Sequence, residues 1–234
     1  MKFRIKIFAD GADLEEMIRA HDAGMVKGFT TNPTLMRKAG VTDYEEFARS
    51  VLRKIRDLPI SFEVFSDDID EMARQAKTIA AWGKNVYVKI PVTNTKGQST
   101  APIISSLSRQ GIRLNITALL TLGQVRDVCV ALDERTPAIV SLFAGRVADT
   151  GRDPVPMMKE AVQILRARPL AELLWASPRE ILNLIQAEEA ACHIITMTSD
   201  LLSKISLLGT ELELLSLQTV KMFHDDAAAS RYHL

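Results

Sequence analysis

Eight short segments rich in β-branched and aromatic residues alternate with helix-patterned segments along the 234 residues, and few folds accommodate that alternation. The strand candidates are residues 3–9, 28–31, 60–64, 86–90, 113–117, 138–142, 173–176 and 193–196. Between them lie helical patterns. Leu14, Met17, Ile18 and His21 repeat at helical spacing and end at Gly24. Further helices are expected over 44–58, with Asp43 as cap, and over 69–82, 103–109, 123–132 and 155–166, with another starting at Ser177-Pro178. Strand-helix alternation implies parallel strands joined by right-handed crossovers. Eight such units in a chain near the typical length of about 250 residues predict a closed (β/α)8 TIM barrel, an α/β fold. An open doubly wound sheet is the competitor, but it ordinarily carries a glycine-rich first turn, and the glycines here are scattered singly. The expected organisation is one catalytic domain over 1–206 followed by a helical extension over 207–234. In that extension Leu208, Leu212, Leu215, Thr219 and Met222 recur at three- and four-residue steps, a stripe that needs a partner surface.

Composition narrows the function. Lys and Arg number 29, as do Asp and Glu, so the formal net charge is zero and the electrostatic footprint of a nucleic-acid binder is missing. Zero net charge also removes the repulsion that keeps monomers apart. Cys129 and Cys192 are isolated among apolar neighbours and read as small buried hydrophobes, with no metal spacing or disulfide framework. No apolar run approaches the roughly 18–20 residues of a membrane span, and residues 1–10 lack a signal-peptide core. A cytoplasmic protein with no membrane or nucleic-acid partner is expected.

The most unusual residue is Lys89, set in the run Val86-Tyr87-Val88-Lys89-Ile90-Pro91. An ammonium in such a strand must be paired or neutral, unless it snorkels from the strand end into water. A neutral amine is a nucleophile towards carbonyls, which is imine chemistry. The other strands also end on polar residues: Asp10, Thr31 and Asn32, Glu63, Asn115 and Thr117, Ser141 with Arg146 behind it, and Ser177 with Arg179. Singly, Asp10, Asn32 and Ser177 could be caps, Asn115 and Ser141 satisfied core groups, and the arginines solvated. Jointly they would ring the carboxyl-end mouth of a barrel, where barrel active sites are built. One amine could form an imine while two carboxyls move protons around it. Asn and Ser side chains suit the hydroxyls of a polyol, and two arginines with a serine near a helix N-terminus suit a phosphate dianion. The set predicts carbon–carbon cleavage of a phosphorylated ketose.

At this point the chain resembles the transaldolase family, in particular its short microbial branch, which includes fructose-6-phosphate aldolase. Thr30-Thr31-Asn32-Pro33-Thr34 is similar to that family's TTNP(S/T) segment, and Tyr87-Val88-Lys89-Ile90-Pro91 with Thr93 to its Schiff-base lysine segment. Three further motifs follow in order: Gly111-Ile112 through Leu114-Asn115-Ile116-Thr117, Ser141-Leu142-Phe143-Ala144-Gly145-Arg146, and Ala176-Ser177-Pro178-Arg179.

The resemblance implies that Lys89 forms an imine with the donor ketose, that Asp10 carries the proton of the C4 hydroxyl, and that Glu63 shuttles protons through a water. It implies that Asn32, Asn115 and Ser141, with Thr31, Thr117 and Phe143 nearby, hold the dihydroxyacetone portion. Arg146, Ser177 and Arg179 would hold the substrate phosphate. No cofactor and no metal are implied, the partners are small sugar phosphates, and the assembly is a homo-pentamer or decamer. Fructose-6-phosphate aldolase has glutamine where Glu63 stands and tyrosine where Phe143 stands, so the resemblance favours a transaldolase, moving dihydroxyacetone from sedoheptulose 7-phosphate or fructose 6-phosphate to an aldose phosphate. The alternatives are an aldolase that releases free dihydroxyacetone, and a sugar-phosphate-binding barrel without turnover. Intact Lys89, Asp10 and Glu63 speak against the last, because binding alone needs no nucleophile.

Overall fold

The computed structural model describes residues 3–230. The strands are β1 Lys6–Asp10, β2 Phe29–Thr30, β3 Ile60–Glu63, β4 Val86–Pro91, β5 Leu114–Leu119, β6 Ala138–Leu142, β7 Ala171–Trp175 and β8 Ile194–Met197. They pair in parallel in chain order, and β8 returns to β1, so the sheet is a closed eight-stranded barrel ringed by helices. The (β/α)8 expectation is met. Closure leaves no edge strand, which explains how β2 persists with only two residues: it is paired on both sides, Ala9 and Asp10 facing Phe29 and Thr30, and Phe29 and Thr30 facing Ile60 and Ser61.

Chain contacts divide the protein into two compact units, Met1–Leu202 and Ser203–Leu234. In the first, side chains alternate along each strand, so Phe8 and Asp10 share the barrel interior with Leu174 and Ala176. Phe8, Ile139, Leu174, Ala176 and Ile194 form an apolar plug, with Tyr87 and Phe143 packed against it. Gly28 makes room for that plug, since a Cβ there would lie 2.5 Å from the Phe8 ring.

Helix starts follow their caps. The Asp13, Asp43 and Asp68 side chains accept from the backbone N–H groups of Glu16, Glu46 and Glu71, and Thr121 forms a full capping box with Gln124. Two short helices escape the sequence pattern, Pro33–Lys38 and Ala144–Ala148. Neither is long enough to show a period. The helix expected at Ser177-Pro178 begins only at Leu182. Ser177 has a left-handed backbone (φ 57°), which no helix admits, and Asn183 Oδ1 accepts from the backbone N–H groups of Arg179 and Glu180 across the intervening turn.

In the second unit, a 3-10 turn at Lys204–Leu207 precedes the helix Leu212–Ser230. That helix starts later than the sequence pattern predicts because Gly209 takes a positive φ of 79°. It also runs past Phe223, carried by Ala227, Ala228 and Ala229, which are strong helix formers. None of the described helices is long and apolar enough to cross a membrane.

Candidate active site

At the carboxyl ends of the strands lies a cavity of about 390 Å³. Parallel register builds it. Glu63 on β3 lies beside Lys89 on β4, which lies beside Asn115 on β5, while Asp10 on β1 lies beside Thr30 on β2.

Lys89 is 7% exposed, and its ammonium is paired, as a charge in such a strand must be. Nζ stands 3.3 Å from Glu63 Oε2 and donates to the Thr31 carbonyl at 3.0 Å. Two acceptors therefore hold the amine at the cavity wall, where it can meet a carbonyl carbon. Glu63 is held in turn through its backbone, whose carbonyl accepts from Tyr44 Oη at 2.9 Å, and burial pushes that phenol far above its ordinary range.

Asp10 lines the same cavity. Burial raises its carboxyl pKa, opposed by the Lys89 charge and by a hydrogen bond from Thr30 Oγ1 at 2.7 Å. A carboxylate so perturbed accepts a proton more readily than an exposed one. Thr30 Oγ1 also lies 2.5 Å from Thr196 Oγ1 on β8.

The other expected residues divide by where their side chains go. Asn32, Thr117, Ser141, Phe143, Arg146 and Ser177 all line the cavity. Asn32 is also the cap of the helix Pro33–Lys38, its Oδ1 accepting from the Leu35 N–H at 3.0 Å, so its amide hydrogens face other use. Thr117 Oγ1 is buried and has no hydrogen-bond partner among the described residues, an arrangement that a polar ligand would repair. Arg146 projects over the Phe143 ring, 5.1 Å from its centroid, and pairs with no carboxylate among the described residues.

Three expected residues do not reach the cavity. Thr31 turns its hydroxyl onto the Ser61 carbonyl at 2.8 Å and serves the site through its own carbonyl. Asn115 is wholly buried and engaged at both ends of its amide: Nδ2 donates to Ser61 Oγ at 2.9 Å, and Oδ1 accepts from Ser141 Oγ at 2.7 Å. With its proton committed to Asn115, Ser141 can only accept from a ligand hydroxyl. Arg179 is exposed, and its guanidinium forks onto Asp149, with Nε to Oδ1 at 3.0 Å and a second bond to Oδ2.

The cavity wall is locally strained. Ala118 (φ 62°) and Ser177 (φ 57°) both line it in the left-handed region, which costs an ordinary residue about 1–2 kcal/mol. Ala118 sits where the β5–β6 register shifts between Ile116 and Leu119. Ser177 is clamped by Gly145, where a Cβ would fall 1.5 Å from the Ser177 carbonyl oxygen. Thr30, Ala118 and Thr196 also line the cavity and are not among the site residues expected from sequence. Thr30 and Thr196 carried the same sign as the rest, a polar residue at the end of an apolar strand.

The sequence profile of the transaldolase/fructose-6-phosphate aldolase family matches residues 7–233. The chain belongs to that family. It is similar to a probable transaldolase of Dehalococcoides mccartyi, 34% identical over 194 residues, covering 82% of this chain and 86% of that one. A probable transaldolase of Roseiflexus castenholzii is 38% identical over 194 residues (82% and 85%), and probable transaldolase 2 of Listeria monocytogenes is 34% identical over 202 residues (86% and 88%). A crystal structure from Burkholderia cenocepacia J2315, provisionally described as a phosphonomutase, superposes with a TM-score of 0.59 over 95% of this chain and 94% of that one. At 13% identity it speaks to the fold alone. Family membership makes this chain an enzyme of the transaldolase/aldolase kind.

Proposed function

We propose that this enzyme is a transaldolase that carries dihydroxyacetone as a Lys89 enamine between a ketose phosphate and an aldose phosphate. The observation that carries this is one nucleophile flanked by two carboxyls: Lys89 Nζ is 3.3 Å from Glu63, and Asp10 lines the same cavity.

Lys89 adds to the C2 carbonyl of sedoheptulose 7-phosphate or fructose 6-phosphate, and water leaves as the imine forms. Glu63 is close enough to exchange protons with the amine, directly or through a water. Asp10 takes the C4 hydroxyl proton as the C3–C4 bond breaks. The bonding electrons pass into the protonated imine, which becomes an enamine, and the aldose phosphate departs. The enamine then attacks the aldehyde carbon of an acceptor, Asp10 returns its proton to the new hydroxyl, and water hydrolyses the imine to free Lys89. Asn32 and Thr117 offer donors to the dihydroxyacetone hydroxyls, and Ser141, backed by Asn115, accepts. Arg146 and Ser177 hold the phosphate, and Arg179 could join them only by leaving Asp149.

Phe143 favours transfer over release. It lines the cavity and has no proton to give, so an enamine beside it persists until an acceptor aldehyde arrives. The assembly that goes with this reading is a homo-oligomer of five or ten chains. Fructose 6-phosphate with borohydride is expected to add a sugar mass at Lys89, and Lys89→Met to abolish it. Unaltered peptide mass under saturating substrate would end the imine reading. Turnover of fructose 6-phosphate should also require erythrose 4-phosphate, and equal turnover without it would make the enzyme an aldolase.

A further inference from the structure

We propose that Thr196, on the wall of the same cavity, is a positioning residue for Asp10 that acts through Thr30. The inference rests on Asp10 being the proton carrier of the preceding reading.

The geometry is a chain of three side chains from adjacent strands of the closed barrel. Thr30 Oγ1 lies 2.7 Å from Asp10 Oδ1 and 2.5 Å from Thr196 Oγ1. Thr30 is 2% exposed and Thr196 5%, so neither hydroxyl can trade these bonds freely for solvent. Each hydroxyl has one hydrogen. If Thr30 gives its hydrogen to Asp10, the contact with Thr196 is satisfied only when Thr196 donates. If Thr30 gives its hydrogen to Thr196 instead, Asp10 Oδ1 loses its donor. While Asp10 is ionised, its charge selects the first arrangement, because hydrogen bonds to a carboxylate are the stronger ones. Thr196 thus fixes the direction of the Thr30 hydroxyl, and polarising it makes it a better donor.

The consequence for chemistry is that Oδ1 is held by the protein and Oδ2 is left to the substrate. No described residue donates to Oδ2. The carboxylate is thereby kept in one rotamer as the C4 proton arrives and departs. Barrel closure supplies this, because only the β8–β1–β2 seam brings Thr196, Asp10 and Thr30 together. The charged groups facing Asp10 across the cavity are Lys89, Glu63 and Arg146, and none of them bonds to either threonine.

The test is Thr196→Val, which keeps the volume and removes the donor. With Thr30 a weaker donor to the carboxylate, the acid limb of kcat/KM should move to higher pH, and kcat should fall about three- to tenfold. KM should change less than twofold, and borohydride trapping on Lys89 should persist, since imine formation does not use Asp10. Thr196→Ser should restore the wild-type pH limb. In a Thr30→Val background, Thr196→Val should cost little more, because its effect passes through Thr30. An unmoved acid limb, a Ser variant as impaired as Val, loss of trapping, or an undiminished effect in the Thr30→Val background would each overturn the proposal. Should Thr196→Val fail to fold, Ser and Ala at the same position differ by the hydroxyl alone, and equal pH limbs for those two would overturn it too. Failure of the underlying reading looks different: Asp10→Asn would then leave cleavage intact, whatever Thr196 variants do.

Discussion

Ionising Asp10 is costly, because burial opposes its charge more than Lys89 and Thr30 support it. An acid whose pKa is raised on folding binds its proton more tightly in the folded protein. Its contribution to stability is therefore full below the unfolded value of 3.8 and is lost as pH rises through the folded pKa. Above that folded pKa the ionised form consequently weakens the fold. Asp10→Asn should abolish turnover while raising Tm at pH 7, each kcal/mol relieved appearing as about 2–4 °C. The gain should shrink towards pH 4, and an Asn variant that melts lower than wild type at pH 7 would contradict this account. The two arginines separate in the same way, by what surrounds them. Arg146 lines the cavity and pairs with no carboxylate among the described residues, so Arg146→Ala should raise KM for phosphorylated ketoses about ten- to a hundredfold, with much less effect on unphosphorylated ones. Arg179 is bound to Asp149 on the surface, so Arg179→Ala should change KM less than Arg146→Ala and stability by about 0–1 kcal/mol. Equal losses for Arg146→Ala on both substrate classes would make Arg146 structural. Both arginines read alike in the sequence, because nothing in a motif says which one folds next to an acid. Asn115 is the same case: a polar residue at a strand end either faces the cavity or is spent on its neighbours, and here Ser61 and Ser141 decide. Lys89 was legible because a charge among Val86, Val88 and Ile90 has few places to go.

Elements long enough to repeat a pattern are legible as elements, and their ends are set by caps and by backbone that periodicity does not see. Residues 44–58 look helical throughout, yet the helix stops at Lys54, and Ile55 is extended and wholly buried. The segment 177–181 departs further: Ser-Pro is a good helix start, but the chain turns left-handed at Ser177. A close approach from far away in sequence accompanies that turn. Gly145, in the helix Ala144–Ala148, touches the Ser177 carbonyl and accepts no Cβ there. That contact places Arg146 beside Ser177, so a packing detail shapes the expected phosphate end of the cavity. Gly145→Ala should force the two segments apart, at a cost of about 1–3 kcal/mol or more. It should raise KM for phosphorylated substrates with little change in borohydride trapping at Lys89, which stands on other strands. A Gly145→Ala enzyme with wild-type Tm and KM would show that the segments are not locked together.

At the scale of the whole molecule, the helix Leu212–Ser230 is the part the barrel does not explain. None of its residues is buried. A single stripe was expected from sequence, but successive helical residues step by about 100°, so Leu212, Leu214, Leu215, Leu217, Val220, Met222 and Phe223 fall all round the axis. A helix apolar all round is stable in water only when enclosed. Leu212 is 75% exposed, Val220 60% and Phe223 63%. We propose that other copies of this chain enclose it, as a homo-oligomer of five or ten would. Truncation after Leu207 should lower the mass seen by light scattering to that of a smaller species. The barrel should survive, because β8 and its pairings lie before the cut. Apolar dye binding should rise in the truncated protein, since the surfaces that enclosed the helix in the assembly lose their cover. Turnover should persist at least in part, as every cavity-lining residue precedes residue 203. Full-length protein that scatters as a monomer at micromolar concentration would defeat the proposal, and so would a truncated form of unchanged assembly.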